Sequence, residues 1–189
     1  MSKRTGIWIN AIAFQLAWTC AVAGAAYGTA WAGPIVVGLF AIYQLGVSHN
    51  ARNDACLIAF ALVLGAISDS WLAHAQIVHY ASPWPSEAFA PVWILALWVN
   101  LALTINHSLA FLQRNLYVAA ILGALGAPLS YSIAAHAWHA VWLAEPHATT
   151  LLTLAMLWMF ATPSLCAVAR ALAHRGSSRN LTATQETAP

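Results

Sequence analysis

One acidic residue stands near the end of a long apolar run, in the stretch GAISDSWLAHA at residues 65–75. This residue, Asp69, is one of only five acidic residues in the chain. An ionisable group inside a bilayer is costly, so it is a functional-site candidate by default. Asp69 could bind a proton or cation, orient a histidine, accept hydrogen bonds from Ser130 or Tyr131 on a neighbouring helix, or reach the membrane interface.

A second polar set lies in the stretch NLALTINHSLAFLQRN, residues 100–115. On one continuous helix, residues 100, 104, 107 and 108 would share a face. Two hypotheses fit this stripe: a polar cavity open to the cytoplasm, or interhelical hydrogen bonds worth about 0.6 kcal/mol each. His107 is the second candidate for chemistry, and we expect it near the opposite membrane face from Asp69. The predicted intramembrane polar cluster comprises Asn10, Gln15, Asn100, Asn106, His107, Ser108 and Tyr131.

A third set consists of histidines predicted on or near the outer loops, namely His74, His79, His136, His139 and His147. The HAWH stretch has an i,i+3 spacing that can place two imidazoles on one helical face for a divalent metal. That spacing alone is unspecific, and solvated or interfacial histidines are the alternative. We predict no metal and no cofactor, with His74, His136 and His139 as the ligands should a metal bind. The chain has neither an H-E-x-x-H pattern nor a nucleophile elbow.

Composition decides the class of protein. Hydrophobic residues make up 61% of the 189 residues and charged residues 6%, whereas a soluble domain carries about 25% charged residues. So few charges cannot cover a soluble surface of this size, so the apolar surface must face lipid. No dense basic stretch indicates nucleic-acid binding. We therefore expect membrane lipids as partners, with a homo-oligomer or other membrane proteins left open.

Six apolar runs approach the length of about 20 residues that a membrane helix needs. They are residues 7–27, 34–47, 55–72, 92–112, 116–134 and 149–172. We predict an all-α integral membrane bundle of six transmembrane helices in residues 1–173, followed by a disordered polar cytoplasmic tail at residues 174–189. Residues 136–143 either extend the fifth helix or lie at the interface.

Basic residues predict the orientation of this bundle. With six spans, all seven Lys and Arg residues fall on one side of the membrane and none on the other. Because short cytoplasmic loops carry the excess of Lys and Arg, that side is cytoplasmic and both termini lie inside. Most tryptophans fall near the opposite side, as in an aromatic belt.

Four stretches occur in an order typical of one family: NAIAFQLAWTCAVAG, GAISDSWL, APVWILALWVNLALTINHSLAFL and GALGAPLSY. Over roughly residues 7–165, the chain resembles a bacterial inner-membrane family known as domain of unknown function 2878. The sequence departs from the family after Tyr131, where YSIAAHAWHAVW replaces an expected Y-x-x-G-x-x-L-G-A. The resemblance implies functional residues at Asn10, Gln15, Trp18, Asp69, Trp98, His107, Ser108, Pro128 and Tyr131.

The resemblance also implies a location in the bacterial inner membrane and proximity to genes for lipid modification, including cyclopropane fatty acid synthesis. Our leading hypothesis is an accessory protein of membrane-lipid modification or envelope stress, acting through a polar intramembrane site with Asp69 and His107. A small transporter or permease component is the first alternative. A metal-dependent membrane hydrolase using the outer-face histidines and Asp69 is the second. The sequence leaves open whether the protein is an enzyme.

Overall fold

The computed structural model describes the backbone of residues 3–186 and the side chains of residues 4–174. Within this part the protein is an all-helical bundle, as predicted, with a short 3-10 helix at Ala110–Arg114 and two three-residue strands. The α-helices are α1 Lys3–Ala26, α2 Ala32–Val47, α3 Ala51–His74, α4 Val92–Ile105, α5 Leu116–His136 and α6 His147–Glu186, and the strands are β1 Val78–Tyr80 and β2 Val141–Leu143.

Four helical segments are long and apolar enough to cross a membrane: Arg4–Ala26, Ala51–His74, Leu116–His136 and His147–His174. Large apolar side chains such as Ile67, Leu125 and Phe160 are exposed along them. Exposing so many to water would be unfavourable, so these surfaces face lipid and the chain is a membrane protein. The other two helices, α2 and α4, have 16 and 14 residues, about 24 and 21 Å, which is shorter than the hydrocarbon core.

Helix α4 lies at the centre of the bundle. It packs against α1, α2 and α3, while α5 and α6 form the most extensive helix pair. Nine of the 14 residues of α4 are buried. A glycine allows the close approach of α3 and α4, because a Cβ atom at Gly65 would overlap the indole ring of Trp98. Small residues serve the same purpose at many membrane helix interfaces.

Two predicted helix boundaries are wrong, and both errors concern polar residues. The predicted third span begins at residue 55, but α3 begins at Ala51 and therefore includes Asp54 in its first turn. The predicted fourth span runs to residue 112, but α4 ends at Ile105 and a turn precedes the 3-10 helix. The predicted polar stripe therefore does not continue along one helix face to His107. Just beyond this end, the side chains of Asn106 and His107 contact Asp54.

Residues 136–143 do not extend the fifth helix, and their position at the membrane interface stays a prediction. Helix α5 ends at His136, and Val141–Leu143 forms β2, which pairs antiparallel with β1. In this register Tyr80 is opposite Val141, and both side chains are buried. The two strands thus bring Tyr80 to the ends of the helices. The predicted disordered tail at residues 174–189 falls almost entirely outside the residues whose side chains are described, and it stays a prediction.

Candidate functional site

Asp69 is buried, with 1% of its surface exposed, and its two carboxyl oxygens accept three hydrogen bonds. The hydroxyls of Tyr131 and Tyr80 donate to Oδ1 over 2.5 and 2.8 Å. The indole Nε1 of Trp98 donates to Oδ2 over 2.7 Å. We call these four residues the outer centre, after the side of the membrane predicted for Asp69. Its members come from α3, α5, β1 and α4, so one carboxyl group connects four elements of the fold.

Local sequence explains this arrangement. Gly65 lies one turn before Asp69 on α3 and leaves room for the Trp98 ring. The alternating burial of β1 turns His79 outward and Tyr80 inward. Burial, followed by the nearby Asp69 and Tyr131, raises the pKa of Tyr80 well above its ordinary value. The Tyr80 hydroxyl therefore keeps its proton and remains a donor to the carboxyl group.

A second carboxyl group occupies the other end of α3. Asp54 is also buried, and its Oδ2 accepts a hydrogen bond from the Ser48 hydroxyl over 2.6 Å and lies 3.2 Å from Nε2 of His107. The Asn106 amide donates to Oδ1 over 2.7 Å. We call these four residues the inner centre, after the side of the membrane predicted for His107. Asp69 lies fifteen positions after Asp54 on α3, about 22 Å along the helix. His107 thus has a carboxyl partner, and that partner is Asp54.

The remaining predicted cluster residues divide between several contacts. Asn10 donates to Oε1 of Gln44 over 2.8 Å and to the Leu103 carbonyl over 2.9 Å. The Ser108 hydroxyl donates to Oδ1 of Asn10 over 2.6 Å. Asn100 donates to the backbone carbonyl of residue 14 over 3.0 Å. The structure therefore joins Asn10 with Ser108, and Asn106 with His107, while Tyr131 belongs to the outer centre.

A cavity of about 410 Å³ lies between α1, α4, α5 and α6, with Val141 of β2 also in its wall. Its walls are mostly aromatic and aliphatic, and no Asp, Glu, Lys, Arg or His side chain of the described residues lines it. The hydroxyl-bearing residues in the wall are Ser130, Tyr131 and Thr162, and Gln15 adds an amide. Because Tyr131 also binds Asp69, the outer centre adjoins the cavity directly.

A second cavity of about 280 Å³ lies between α1 and the end of α4. Its two hydroxyl-bearing wall residues, Thr104 and Ser108, already donate hydrogen bonds to the Leu101 carbonyl and to Asn10, and the indole of Trp8 also lines it. This smaller cavity therefore offers a ligand fewer unused polar groups than the larger one.

The family described as "Protein of unknown function (DUF2878)" matches residues 7–164 of the chain. The chain belongs to the DUF2878 family. No curated protein and no solved structure matches it. The match confirms the resemblance inferred from the sequence, and it covers both carboxyl centres and the whole cavity of this DUF2878 protein.

The outer histidines of the DUF2878 protein do not form a metal centre in the described part of the chain. No group of three His, Cys, Asp or Glu side chains has a geometry that could hold a metal ion there. His136 binds the Ser132 carbonyl through Nδ1, and His147 pairs with Glu145 at the surface. The geometry therefore gives the metal-dependent hydrolase hypothesis no support.

Sequence reasoning missed three residues of these sites in the DUF2878 protein: Asp54, Tyr80 and Trp158. Asp54 lies in the SHNARND stretch, whose charges are typical of a solvated loop. A useful signal was available, since the predicted topology places that stretch and His107 on the same side of the membrane. Tyr80 and Trp158 carry no comparable signal, because their positions depend on strand pairing and on packing between α4 and α6.

Proposed function

We propose that this DUF2878 protein binds a membrane lipid in the cavity between α1, α4, α5 and α6, and that it is an accessory protein of membrane-lipid modification or envelope stress in the bacterial inner membrane. The observation that supports this most directly is the cavity itself. Its volume of about 410 Å³ is within the usual range for small-molecule sites, which are mainly apolar with a few polar groups. An apolar cavity in a membrane protein is readily reached by lipid.

The proposal includes six membrane passes with both termini in the cytoplasm. Two contacts support it, because they join chain segments that six passes would bring to one face. Asp54 at the start of α3 binds Asn106 after α4, and Arg170 of α6 donates to the Gln113 carbonyl over 3.5 Å. Positive charge on that face makes it cytoplasmic. The short helices α2 and α4 cross by local bilayer thinning, which costs only fractions of a kcal/mol per Å.

A cavity-filling substitution tests lipid binding. Gly126 lines the cavity, and a Cβ atom there would meet nothing within 4 Å. Gly126→Leu should therefore fill the cavity with little strain on the fold. The matched control is Gly38→Leu in α2, which is equally open but lies outside the cavity.

The measurement is mass spectrometry of lipids that remain bound after purification in a mild detergent. We expect a bound lipid in near-stoichiometric amount with the wild type and with Gly38→Leu, and a loss of several-fold with Gly126→Leu. Equal lipid content in all three proteins would contradict the proposal. Lipid analysis of a deletion strain that expresses each variant then tests the link to lipid modification.

A further inference from the structure

The two cavities beside α1 share part of their walls. Phe14 and Leu109 line both the cavity of about 410 Å³ and the cavity of about 280 Å³, and both side chains are partly buried rather than fully enclosed. The cavities therefore meet at these two side chains. We call the two cavities together the α1 groove.

The wall that α1 contributes to this groove follows one face of the helix. Ile7, Ala11, Phe14 and Trp18 succeed one another at intervals of four, three and four positions, which places them on one side of an α-helix. Trp18 lies eleven positions after Ile7, about 17 Å along the helix. One leaflet contributes about 15 Å to the hydrocarbon core of a bilayer. The groove therefore has about the length that a lipid chain occupies in its leaflet.

The α1 groove opens sideways between α1 and α5. Four residues that line the larger cavity are exposed, one on α1 and three on α5, namely Gln15, Leu122, Gly126 and Leu129. Exposed apolar surface at this level of the bundle faces lipid. A lipid chain can therefore enter the larger cavity from the bilayer without passing through water.

Most polar hydrogens in the walls of the α1 groove are already used within the protein. Six wall residues donate a side-chain hydrogen bond to an acceptor of the protein: Trp18, Trp93, Trp98, Thr104, Ser108 and Tyr131. The indole nitrogen of Trp158 is buried and cannot reach a ligand. A hydrocarbon chain forms no hydrogen bonds, so it fits these walls, whereas a polar headgroup would leave water and find few partners there.

One end of the α1 groove is suited to a lipid headgroup. Trp8 lines the smaller cavity and is exposed, and Arg4, four positions earlier on the same face of α1, is also exposed. Tryptophan and basic side chains are typical of the membrane interface. A phosphate group beside Arg4 would have a positively charged partner. Further along the groove it would have none, because no charged side chain of the described residues lines either cavity.

We infer that the α1 groove binds one acyl chain of a phospholipid, with the headgroup beside Arg4 and Trp8 and the methyl end of the chain near Trp18. The second chain of that lipid stays in the bilayer outside the opening between α1 and α5. The bound lipid then belongs to the leaflet in which α1 begins, which is the cytoplasmic leaflet in the proposed topology. This inference rests on the proposed function and names the part of the lipid that is bound and its direction.

Two photoactivatable phosphatidylglycerol probes test the direction of the chain, with the purified full-length protein in phosphatidylglycerol vesicles. One probe carries its diazirine close to the ester of one chain, and the other carries it at the methyl end of that chain. We expect the first probe to label Ala11 and Ser108 and the second to label Trp18 and Leu97, as located by mass spectrometry of peptides. Ile67, an exposed residue of α3 outside the groove, reports labelling by the surrounding lipid.

Substitutions that narrow the α1 groove test the inference by a second measurement. Ala11 lines the smaller cavity and not the larger one, so Ala11→Leu narrows the groove outside the larger cavity. Ala59→Leu, at an exposed position of α3 outside both cavities, is the matched control. We expect Ala11→Leu to lose bound lipid several-fold after purification, as Gly126→Leu does, and Ala59→Leu to retain it. In vesicles, Gly126→Leu should reduce the labelling of Leu97 several-fold and leave that of Ile67 unchanged.

The possible results separate the inference from the proposed function. Labelling in the reverse order, or equal labelling of both ends of the groove by each probe, would overturn the inferred direction of the chain. Loss of bound lipid with Gly126→Leu but not with Ala11→Leu would also overturn the inference and leave lipid binding in the larger cavity intact. Absence of labelling in the groove while a lipid remains bound after purification would overturn the inference alone. Absence of both would overturn the proposed function itself.

Discussion

Helix α3 carries two buried carboxyl groups near its opposite ends, and they are held in different ways. Asp69 accepts hydrogen bonds from three uncharged aromatic donors, Tyr80, Tyr131 and Trp98. Asp54 accepts from small polar side chains and lies beside His107, whose side chain is 22% exposed. The outer centre is thus enclosed by rings, whereas the inner centre reaches the connections between helices.

This difference indicates what each centre stabilises. An aromatic donor brings a large apolar ring along with its polar atom, so the three donors of Asp69 are also part of the hydrophobic core. The partners of Asp54 instead connect the turn between α2 and α3 to the end of α4. The outer centre should therefore control core packing and the cavity wall, and the inner centre should control the connections at its own end.

The largest effect is expected for Asp69→Ala. The substitution leaves three donors of the outer centre without an acceptor in a site that water does not reach, at about 1 kcal/mol or more per donor. We expect unfolding in mixed detergent micelles to show a loss of roughly 3 kcal/mol. Asp69→Asn, which keeps one acceptor oxygen, should lose less. A change below about 0.5 kcal/mol for Asp69→Ala would show that the outer centre contributes little to stability. That result would contradict the difference between the two centres that we infer.

Gly65→Ala tests the outer centre without touching its polar atoms. The new methyl group would overlap the Trp98 ring and displace the donor to Oδ2 of Asp69. Overpacking of this kind costs about 1–3 kcal/mol, measured by the same unfolding assay. Gly46→Ala in α2 is the control, since its Cβ would meet nothing within 4 Å. Equal stability of the two variants would show that the Trp98 position is not fixed by α3.

The sequence predicts the class of fold well because the signals are local. Apolar runs, the rarity of charge and the placement of Lys and Arg all lie along the chain, and they predict an all-α membrane protein. Asp69 also stands out by its type alone. Of the partners considered for it, Tyr131 makes the contact, whereas Ser130 binds Trp18.

The errors share a physical origin in contacts between distant residues. Directly after the end of α4 at Ile105, Asn106 binds Asp54, 52 residues earlier in the chain. Likewise, β1 and β2 pair across more than 60 residues, and neither three-residue strand has enough pattern to be recognised alone. A periodic apolar run predicts that a helix exists, but tertiary contacts decide where it ends.

Asp54→Ala should have a smaller and more local effect than Asp69→Ala. Water can reach part of the inner centre and satisfy some of the freed donors, so we expect a loss of about 1–2 kcal/mol. Hydrogen exchange should increase in the turn between α2 and α3 and after α4. A double-mutant cycle with His107→Gln should give a coupling energy above about 0.5 kcal/mol.

The exposed pair of His147 and Glu145 is the matched control for the inner centre. The Glu145 side chain is 76% exposed, and exposed pairs contribute little to stability. Glu145→Ala should therefore leave the free energy of unfolding unchanged.

Additive effects of Asp54→Ala and His107→Gln in the double-mutant cycle would contradict the assignment of a functional contact between these two residues.

The finest comparison lies within the outer centre, between its two tyrosines. Tyr80→Phe removes one hydroxyl donor at nearly constant volume and should cost about 1 kcal/mol, with no change in the amount of lipid that remains bound after purification. Tyr131→Phe should have a similar cost and also alter binding, because Tyr131 lines the cavity and Tyr80 does not. Tyr117→Phe, at a highly exposed position, is the control. Equal amounts of bound lipid in the two tyrosine variants would show that the outer centre does not influence binding in the cavity.

Because the pKa of Tyr80 is raised, the difference in stability between the wild type and Tyr80→Phe should depend on pH. The folded protein raises the pKa of Tyr80 well above its ordinary value of 10.0, so above pH 10 the unfolded chain releases this proton while the folded protein retains it. The free energy of unfolding should therefore be independent of this group below pH 10 and should fall as the pH rises above 10. In Tyr80→Phe this fall should be smaller than in the wild type. An identical fall in both proteins would show that folding does not raise the pKa of Tyr80, against the expectation from its burial beside Asp69.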